Sequence, residues 1–100
     1  MTDHQRKLLT VITEASLEHA LCERIEQLGA HGYTITDARG KGSRGKRDAG
    51  WGASANIRLE VVCSEACAHT IAEALRKEYS DNYALILFMS DVEVLRPEKF

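Results

Sequence analysis

The sequence is poor in several features that mark common classes of protein. Its 100 residues include one proline, three cysteines and 6% aromatic residues. No apolar run reaches the length of a membrane span, and the first residues lack the apolar core of a secretory signal peptide. An odd number of cysteines is typical of reduced thiols rather than of a disulfide framework. We therefore expect a cytoplasmic chain that does not insert into a membrane.

The chain also lacks a strong excess of charge of either sign. Its net charge is −2, so bulk binding to nucleic acid or to an anionic membrane is not indicated. Residues 39–52 are the exception, because this segment contains five Lys or Arg residues and a single Asp. This segment has a net charge of +4, which leaves −6 for the remainder. A basic segment on an acidic body favours a local site for an anion.

Recognisable catalytic and metal-ligating patterns are missing as well. No Ser/His/Asp or Cys/His spacing points to nucleophilic catalysis, and the carboxylates form no evident acid–base pair. Cys63 and Cys67 with His69 match no common zinc spacing and lack a fourth ligand. We predict no enzymatic activity, no catalytic residue and no metal ligand, and we expect these thiols to be small buried side chains.

Hydrophobic periodicity predicts one domain over residues 1–100 with four strands and two helices. Helix caps are assigned to Ser16 and Ser64, and Gly29 ends the first helix. The last strand is apolar almost throughout and is expected to be central. The order β-α-β-β-α-β predicts an α+β, ferredoxin-like fold whose antiparallel sheet carries both helices on one face. The predicted strands cover residues 7–13, 33–39, 56–62 and 83–89.

A glycine-rich basic loop, at about 40–55, separates the two halves of this pattern. Residues 40–52 read GKGSRGKRDAGWG and hold five of the seven glycines. Glycine lets backbone N–H groups turn toward an anion, and the arginine fork fits phosphate oxygens. Dinucleotide and P-loop motifs are not favoured, because no helix follows. The loop predicts a site for phosphate or another small oxyanion, with a merely solvated, disordered loop as the alternative.

Two stretches of the sequence resemble the PII signal-transduction family. They are Gly32–Gly42, read GYTITDARGKG, and Ile57–Val62, read IRLEVV. The resemblance extends from about residue 7 to 96. The Ser43-Arg44-Gly45 extension is similar to the PII-like branch associated with inorganic carbon, which includes carboxysome-associated and bicarbonate-transporter-associated members.

The resemblance implies a homotrimer that acts as a non-catalytic regulatory sensor. Adenine nucleotides would bind between subunits, and the loop at 40–55 would be the family's T-loop. Residues 81–84 read DNYA where classical members carry a glycine-rich phosphate loop, so ADP or AMP is favoured over ATP. Bicarbonate is the implied effector. The implied protein partner is a bicarbonate transporter or a carboxysome-related protein, and nucleic acid is not an expected partner.

The resemblance also implies roles for individual residues. Thr34 would face the base, while backbone groups of Gly40 and Gly42 would contact the nucleotide at the start of the loop. Arg44 and Arg47 would hold phosphates, flanked by Ser43 and Gly45. The remaining implied contacts come from later strands: Glu60, Val62 and Arg96.

Three alternatives remain open at the level of sequence. A trimeric metal-binding or redox module like the CutA family would use the cysteines and histidines. A single-stranded RNA binder would need exposed aromatic residues on the middle strands, where Tyr33 alone gives little support. A weak nucleotide hydrolase would release phosphate or AMP.

Overall fold

The computed structural model describes residues 4–42, 45–46 and 55–100. The strands and helices are numbered along the chain. Short 3-10 turns lie at Ala15–Leu17 and Pro97–Lys99. The elements are β1 (Gln5–Glu14), α1 (Glu18–Gln27), β2 (Thr34–Ala38), β3 (Lys41–Gly42), β4 (Gly45–Lys46), β5 (Asn56–Cys63), α2 (Glu65–Tyr79) and β6 (Ile86–Glu93).

Four strands form one antiparallel sheet in the order β2-β5-β1-β6. Both central strands are long, and β1 pairs with β5 on one side and with β6 on the other. The short strands β3 and β4 pair only with each other, inside the predicted loop. This topology, with two helices, confirms the α+β, ferredoxin-like fold predicted from the order of elements.

The hydrophobic core lies between the two helices and one face of the sheet. Alternate residues of each strand point to this face, because successive side chains of a strand point to opposite sides. The central strands and both helices contribute side chains with no exposed surface. They are Leu9, Val11, Leu59, Val61, Leu21, Ile25, Ile71 and Leu75.

The two helices differ in how they begin. Ser64 caps α2 as predicted, since its side-chain oxygen accepts a hydrogen bond from the Cys67 N–H at 3.2 Å. The assignment of Ser16 as a cap was wrong, because Ser16 lies in a 3-10 turn and its hydroxyl donates to Glu14 instead. Within the described ranges, neither helix has both the length and the apolarity needed to cross a bilayer.

The end of α1 follows the prediction. Gly29 adopts a φ of 106°, which glycine tolerates best. Its N–H bonds to the Glu26 carbonyl, and the next N–H, of Ala30, bonds to the Ile25 carbonyl. This pair of bonds is the Schellman motif, which satisfies carbonyl groups left over at a helix end.

The expected central position of the last strand was wrong. β6 is an edge strand that pairs only with β1, and it covers residues 86–93 rather than 83–89. Its apolar character on both faces suggested burial on both faces. In the single chain one of those faces is open, and Phe88 is 46% exposed.

Candidate functional site

The face of the sheet turned away from the helices carries three of the ten predicted contact residues, namely Thr34, Glu60 and Val62. Register places side chains from all four strands in rows across this open face. One row contains, in order, Thr34, Glu60, Thr10 and Phe88; the next contains Thr36, Arg58, Ile12 and Ile86. The open face is therefore polar over β2 and β5 and apolar over β6.

Thr34 and Glu60 are brought together by the fold. They lie directly opposite each other on β2 and β5, where paired side chains are about 4.5–5.5 Å apart at Cβ. The Glu60 carboxylate also accepts a hydrogen bond from Arg58 Nε at 3.1 Å. Charged side chains at 58 and 60 thus alternate with the buried Ile57 and Leu59.

The base of the glycine-rich loop lies beyond β2. Gly40 is exposed, and a Cβ placed there would meet no atom within 4 Å. Gly42 and Gly45 face each other across the ladder of β3 and β4. The predicted contacts Ser43, Arg44 and Arg47 lie outside the described residues, so their roles stay predictions.

A cavity of about 430 Å³ opens at this loop base, between the end of β2 and the start of β5. Its polar lining includes Arg39, Gly40, Asn56 and Arg58, and Ile12 and Ile86 contribute apolar surface. Asn56 is only 4% exposed. Its Oδ1 atom is buried and has no hydrogen-bond partner in the described part of the chain.

Asn56 is the site residue that sequence reasoning missed. The sequence places Asn56 at the first position of the predicted strand 56–62, although asparagine is depleted in strands, and assigns it no role. A buried amide at that place was the available signal, but burial there depends on how the loop base folds over the strand. Arg39 was counted only for its charge.

Val62 and Arg96 belong to the opposite end of the sheet. Val62 lies opposite Leu8, and Arg96 follows β6, where its Nε donates to Glu98 at 3.4 Å. The two ends are separated by β1, whose ten residues span roughly 30 Å at ~3.3 Å per residue. Within one chain, Arg96 is therefore too far from Gly40 to contact the same small ligand.

A second cavity, of about 590 Å³, lies at this opposite end. Lys7 and Asp91 line it and form a 2.6 Å ion pair. The hydrogen bond that Lys7 donates to the Asp91 carboxylate raises the pKa of Lys7. The amino group of Lys7 is therefore already engaged by a carboxylate of its own chain.

The thiol of Cys63 is held in its protonated form. Burial, together with the neighbouring Cys67, raises the pKa of Cys63 to about 12. A metal binds the thiolate rather than the thiol, so Cys63 is a poor ligand near neutral pH. Across residues 4–42, 45–46 and 55–100, no three His, Cys, Asp or Glu side chains are grouped as a metal site.

Aromatic residues are placed at the margins of the open face. The central strands β1 and β5 contain none, whereas Phe88 lies on the edge strand and Tyr33 just before β2. A hydrogen bond with Cys22 raises the pKa of Tyr33 to about 12. The middle strands therefore offer no aromatic platform for stacking bases.

Comparison with known proteins shows the family to which the chain belongs. The model of the family described as nitrogen regulatory protein P-II matches residues 6–99. The chain belongs to this family. Its members are regulatory proteins that form homotrimers and bind adenine nucleotides. The resemblance predicted from Gly32–Gly42 and Ile57–Val62 is confirmed.

Solved structures place the chain among the PII-like proteins. It is 46% identical to a protein of Thermus thermophilus described as a PII-like signalling protein, with a TM-score of 0.84 over 97% of this chain and 96% of that one. CPII of Thiomonas intermedia, solved with ADP and bicarbonate, is 26% identical, with a TM-score of 0.86 over 97% and 95% of the two chains. CPII was also solved with ADP, AMP and bicarbonate, at 25% identity, a TM-score of 0.85 and coverage of 97% and 94%.

Proposed function

We propose that this chain is a homotrimeric, non-catalytic sensor of adenine nucleotides that reports the supply of inorganic carbon to a partner protein. ADP and AMP are the proposed nucleotides, with ATP a weaker ligand, and bicarbonate is the proposed effector. The observation that carries this proposal is the similarity, over almost the whole chain, to CPII structures that hold ADP, AMP and bicarbonate.

The geometry of the sheet supports binding sites between subunits. The loop base and Arg96 lie at opposite ends of β1, roughly 30 Å apart. One nucleotide can use both ends only when they come from different protomers. We assign Gly40 and Gly42 to one protomer, and Val62 and Arg96 to its neighbour. Thr34 and Glu60, which face each other, belong to the same protomer.

The open face supports the trimer itself. Phe88 and Ile86 are 46% and 39% exposed on the edge strand. Neighbouring apolar side chains on β1 extend this surface, because Leu8 and Ile12 point to the same face. Removing such a surface from water favours association by about 25 cal/mol per Å² of apolar area. We propose that neighbouring protomers cover it.

The proposed switch is an order–disorder transition of the loop at about 40–55, acting as the T-loop. Anionic ligands would neutralise the net charge of +4 that residues 39–52 carry and favour one arrangement of the loop. A ligand shifts this equilibrium only by its difference in affinity for the two states. A 100-fold preference corresponds to about 2.7 kcal/mol, which a few charge-assisted hydrogen bonds can supply. The ordered loop would bind or release a bicarbonate transporter or a carboxysome-related protein.

The test is titration calorimetry with ADP, AMP and ATP, each with and without bicarbonate. We expect the wild type to bind ADP and AMP, and Arg44→Ala to weaken ADP binding by about tenfold or more, because a charge-assisted hydrogen bond is lost. Arg76→Ala is the matched control, since Arg76 pairs with Glu73 on the outer side of α2. Analytical ultracentrifugation of each variant checks that the trimer persists.

Two outcomes would contradict the proposal. One is a wild-type protein that binds none of the three nucleotides. The other is an Arg44→Ala variant whose affinity for ADP equals that of Arg76→Ala. Release of phosphate or AMP during the titration would instead indicate a nucleotide hydrolase.

A further inference from the structure

We infer that Cys63 and Cys67 form a reversible dithiol–disulfide pair, and that oxidation of this pair changes the wall of the 590 Å³ cavity at their end of the sheet. Both residues are free thiols in the structure. Disulfides of proteins in reducing compartments are usually transient and redox-sensing. The disulfide itself is independent of the proposed function, whereas its effect on nucleotide binding rests on that function.

The cap of α2 brings the two cysteines to one corner of the fold. Cys63 is the last residue of β5, Ser64 is the cap, and Cys67 lies in the first turn of the helix. The Cys67 N–H donates to Ser64 Oγ at 3.2 Å. The chain therefore turns back at Ser64 and places Cys67 beside the end of the strand that Cys63 occupies.

The two side chains also share one part of the hydrophobic core. Cys63 is 5% exposed and belongs to the core cluster, and the partly buried Cys67 packs against the same cluster. The two thiols interact, since Cys67 contributes to the raised pKa of Cys63. One thiol of the pair is thus sheltered, and its neighbour is open to a small oxidant.

The third cysteine, Cys22, lies outside the pair. Cys67 Sγ contacts the carbonyl oxygen of Leu28 at 3.8 Å, beyond the end of α1. Cys22 precedes Leu28 by six residues, which is roughly 9 Å along the helix axis at ~1.5 Å per residue. Its thiol is hydrogen-bonded with Tyr33. Cys22 is therefore an internal control for the pair.

The proposed chemistry is thiol–disulfide exchange with a low-molecular-weight disulfide such as glutathione disulfide. The Cys67 thiolate attacks one sulfur of this oxidant, forms a mixed disulfide and releases one glutathione thiolate. The Cys63 thiolate then attacks the Cys67 sulfur and releases the second. The protons that the two cysteines lose pass to the released thiolates. The chain gives up two electrons and two protons, and one glutathione disulfide becomes two glutathione molecules.

The residues between the two cysteines form part of the cavity wall. Ser64 and Glu65 line the cavity together with Lys7, which lies opposite Cys63 in the pairing of β1 with β5. A disulfide would close a short ring around Ser64 and Glu65 and constrain their backbone. The proposed nucleotide contact Val62 directly precedes this ring. Oxidation should therefore be felt at this end of the sheet.

Counting thiols in the full-length protein tests the pair. The chain is equilibrated in glutathione buffers, quenched in acid and alkylated, and its peptides are identified by mass spectrometry. We expect three alkylated cysteines in reducing buffer and one, Cys22, in oxidising buffer. Cys22→Ser should form the same bridge. Three alkylated cysteines in every buffer, mixed disulfides alone, or a bridge that contains Cys22 would overturn the inference.

Two further variants test the order of attack, and each decides it if the other does not fold, as judged by circular dichroism. Cys63→Ala should accumulate a mixed disulfide at Cys67, because no second thiol resolves it. Cys67→Ser should leave Cys63 open to alkylation after unfolding, because little of the Cys63 side chain is exposed to glutathione. Ready reaction of Cys63 with glutathione in Cys67→Ser, or none at Cys67 in Cys63→Ala, would contradict Cys67 as the entering thiol.

Calorimetry with ADP tests the effect on the cavity. We expect the disulfide and dithiol forms of Cys22→Ser to differ about fivefold or more in affinity, the lower end of typical coupling between sites. The same buffers should leave the affinity of Cys67→Ser unchanged. Equal affinities of the two forms would overturn the link to the cavity. If neither form binds ADP, the proposed function is wrong, and the thiol count still decides whether the pair exists.

Discussion

The two faces of the four-stranded sheet are built from the same strands but differ in the burial and the polarity of their side chains. On the helix-covered face, Leu9, Val11, Leu59 and Val61 have no exposed surface. On the open face the same strands present Thr34, Glu60 and Arg58, and β6 presents exposed apolar side chains. The covered face accounts for folding of the single chain. The open face holds residues whose chemistry suits neighbours and ligands, and the predictions below test this division.

Leu59→Ala should have the largest effect on the free energy of unfolding. Leu59 is fully buried in the core that also contains side chains of both helices, and such truncations cost about 2–5 kcal/mol through lost burial and the cavity that remains. Chemical denaturation at a fixed protomer concentration measures the change. Arg58→Ala is the control from the same strand and the opposite face, where we expect a change within about 0.5 kcal/mol. Equal losses in the two variants would contradict the division between the faces.

Phe88→Glu should separate the protomers without unfolding them. Burying a Phe side chain contributes about 1.5–3 kcal/mol, and a trimer would lose this three times while gaining three charges in an apolar contact. Sedimentation velocity should show monomers, with the helical circular dichroism unchanged. Thr70→Glu places the same charge on an exposed residue of α2 and should leave the assembly intact. A stable trimer of Phe88→Glu would show that the open face is not the contact surface.

Ser64→Ala should lower the free energy of unfolding by about 0.5–2 kcal/mol, because the helix above the covered face loses its N-cap. Ser16→Ala provides the comparison. Ser16 precedes α1 but makes no bond to a backbone N–H at its cap, so its removal should have little effect. Urea denaturation of both variants measures the difference, and similar losses would show that the Ser64 bond does not matter.

Glu78→Gln should have the smallest effect, and that effect should depend on pH. Glu78 accepts hydrogen bonds from Arg24 Nε and Nη2, an ion pair that joins the two helices. This contact lowers the pKa of Glu78 from its ordinary value of 4.5. A lowered pKa contributes stability above the unfolded-state value, and the contribution is lost as pH falls through the folded-state value.

Thermal unfolding of the wild type and Glu78→Gln over a range of pH checks this dependence. The wild type should be slightly more stable near neutral pH, and the two curves should meet in acid, below the ordinary range of a glutamate. A difference that stays constant into acid would exclude the ion pair as its cause.

Periodicity and turn chemistry were sufficient to predict the fold. The helix-facing residues of β5, the Ser64 cap and the Gly29 stop are local features that a single sequence displays. The prediction of Ser16 as the cap of α1 was wrong because a 3-10 turn precedes this helix, and the residue type alone does not reveal such a turn. The position of β6 misled for another reason. An apolar run that is covered by helices on one side and open on the other looks the same in sequence as a central strand.

The candidate site was less accessible to sequence reasoning. The resemblance implied roles for Thr34, Gly40 and Glu60, which stay predictions, and register brings Thr34 and Glu60 together. Asn56 escaped notice because its burial depends on how the chain leaves β2 and returns in β5. The separation of Gly40 from Arg96 is likewise a property of strand order, which hydrophobic patterns do not encode.

The length of β1 has a thermodynamic consequence. A ligand that must touch both ends of a sheet roughly 30 Å long can do so only by holding two chains at once. Its free energy of binding is then also free energy of assembly, by linkage. Dilution of the protein should therefore expel the ligand, and saturation with the ligand should protect the oligomer against dilution.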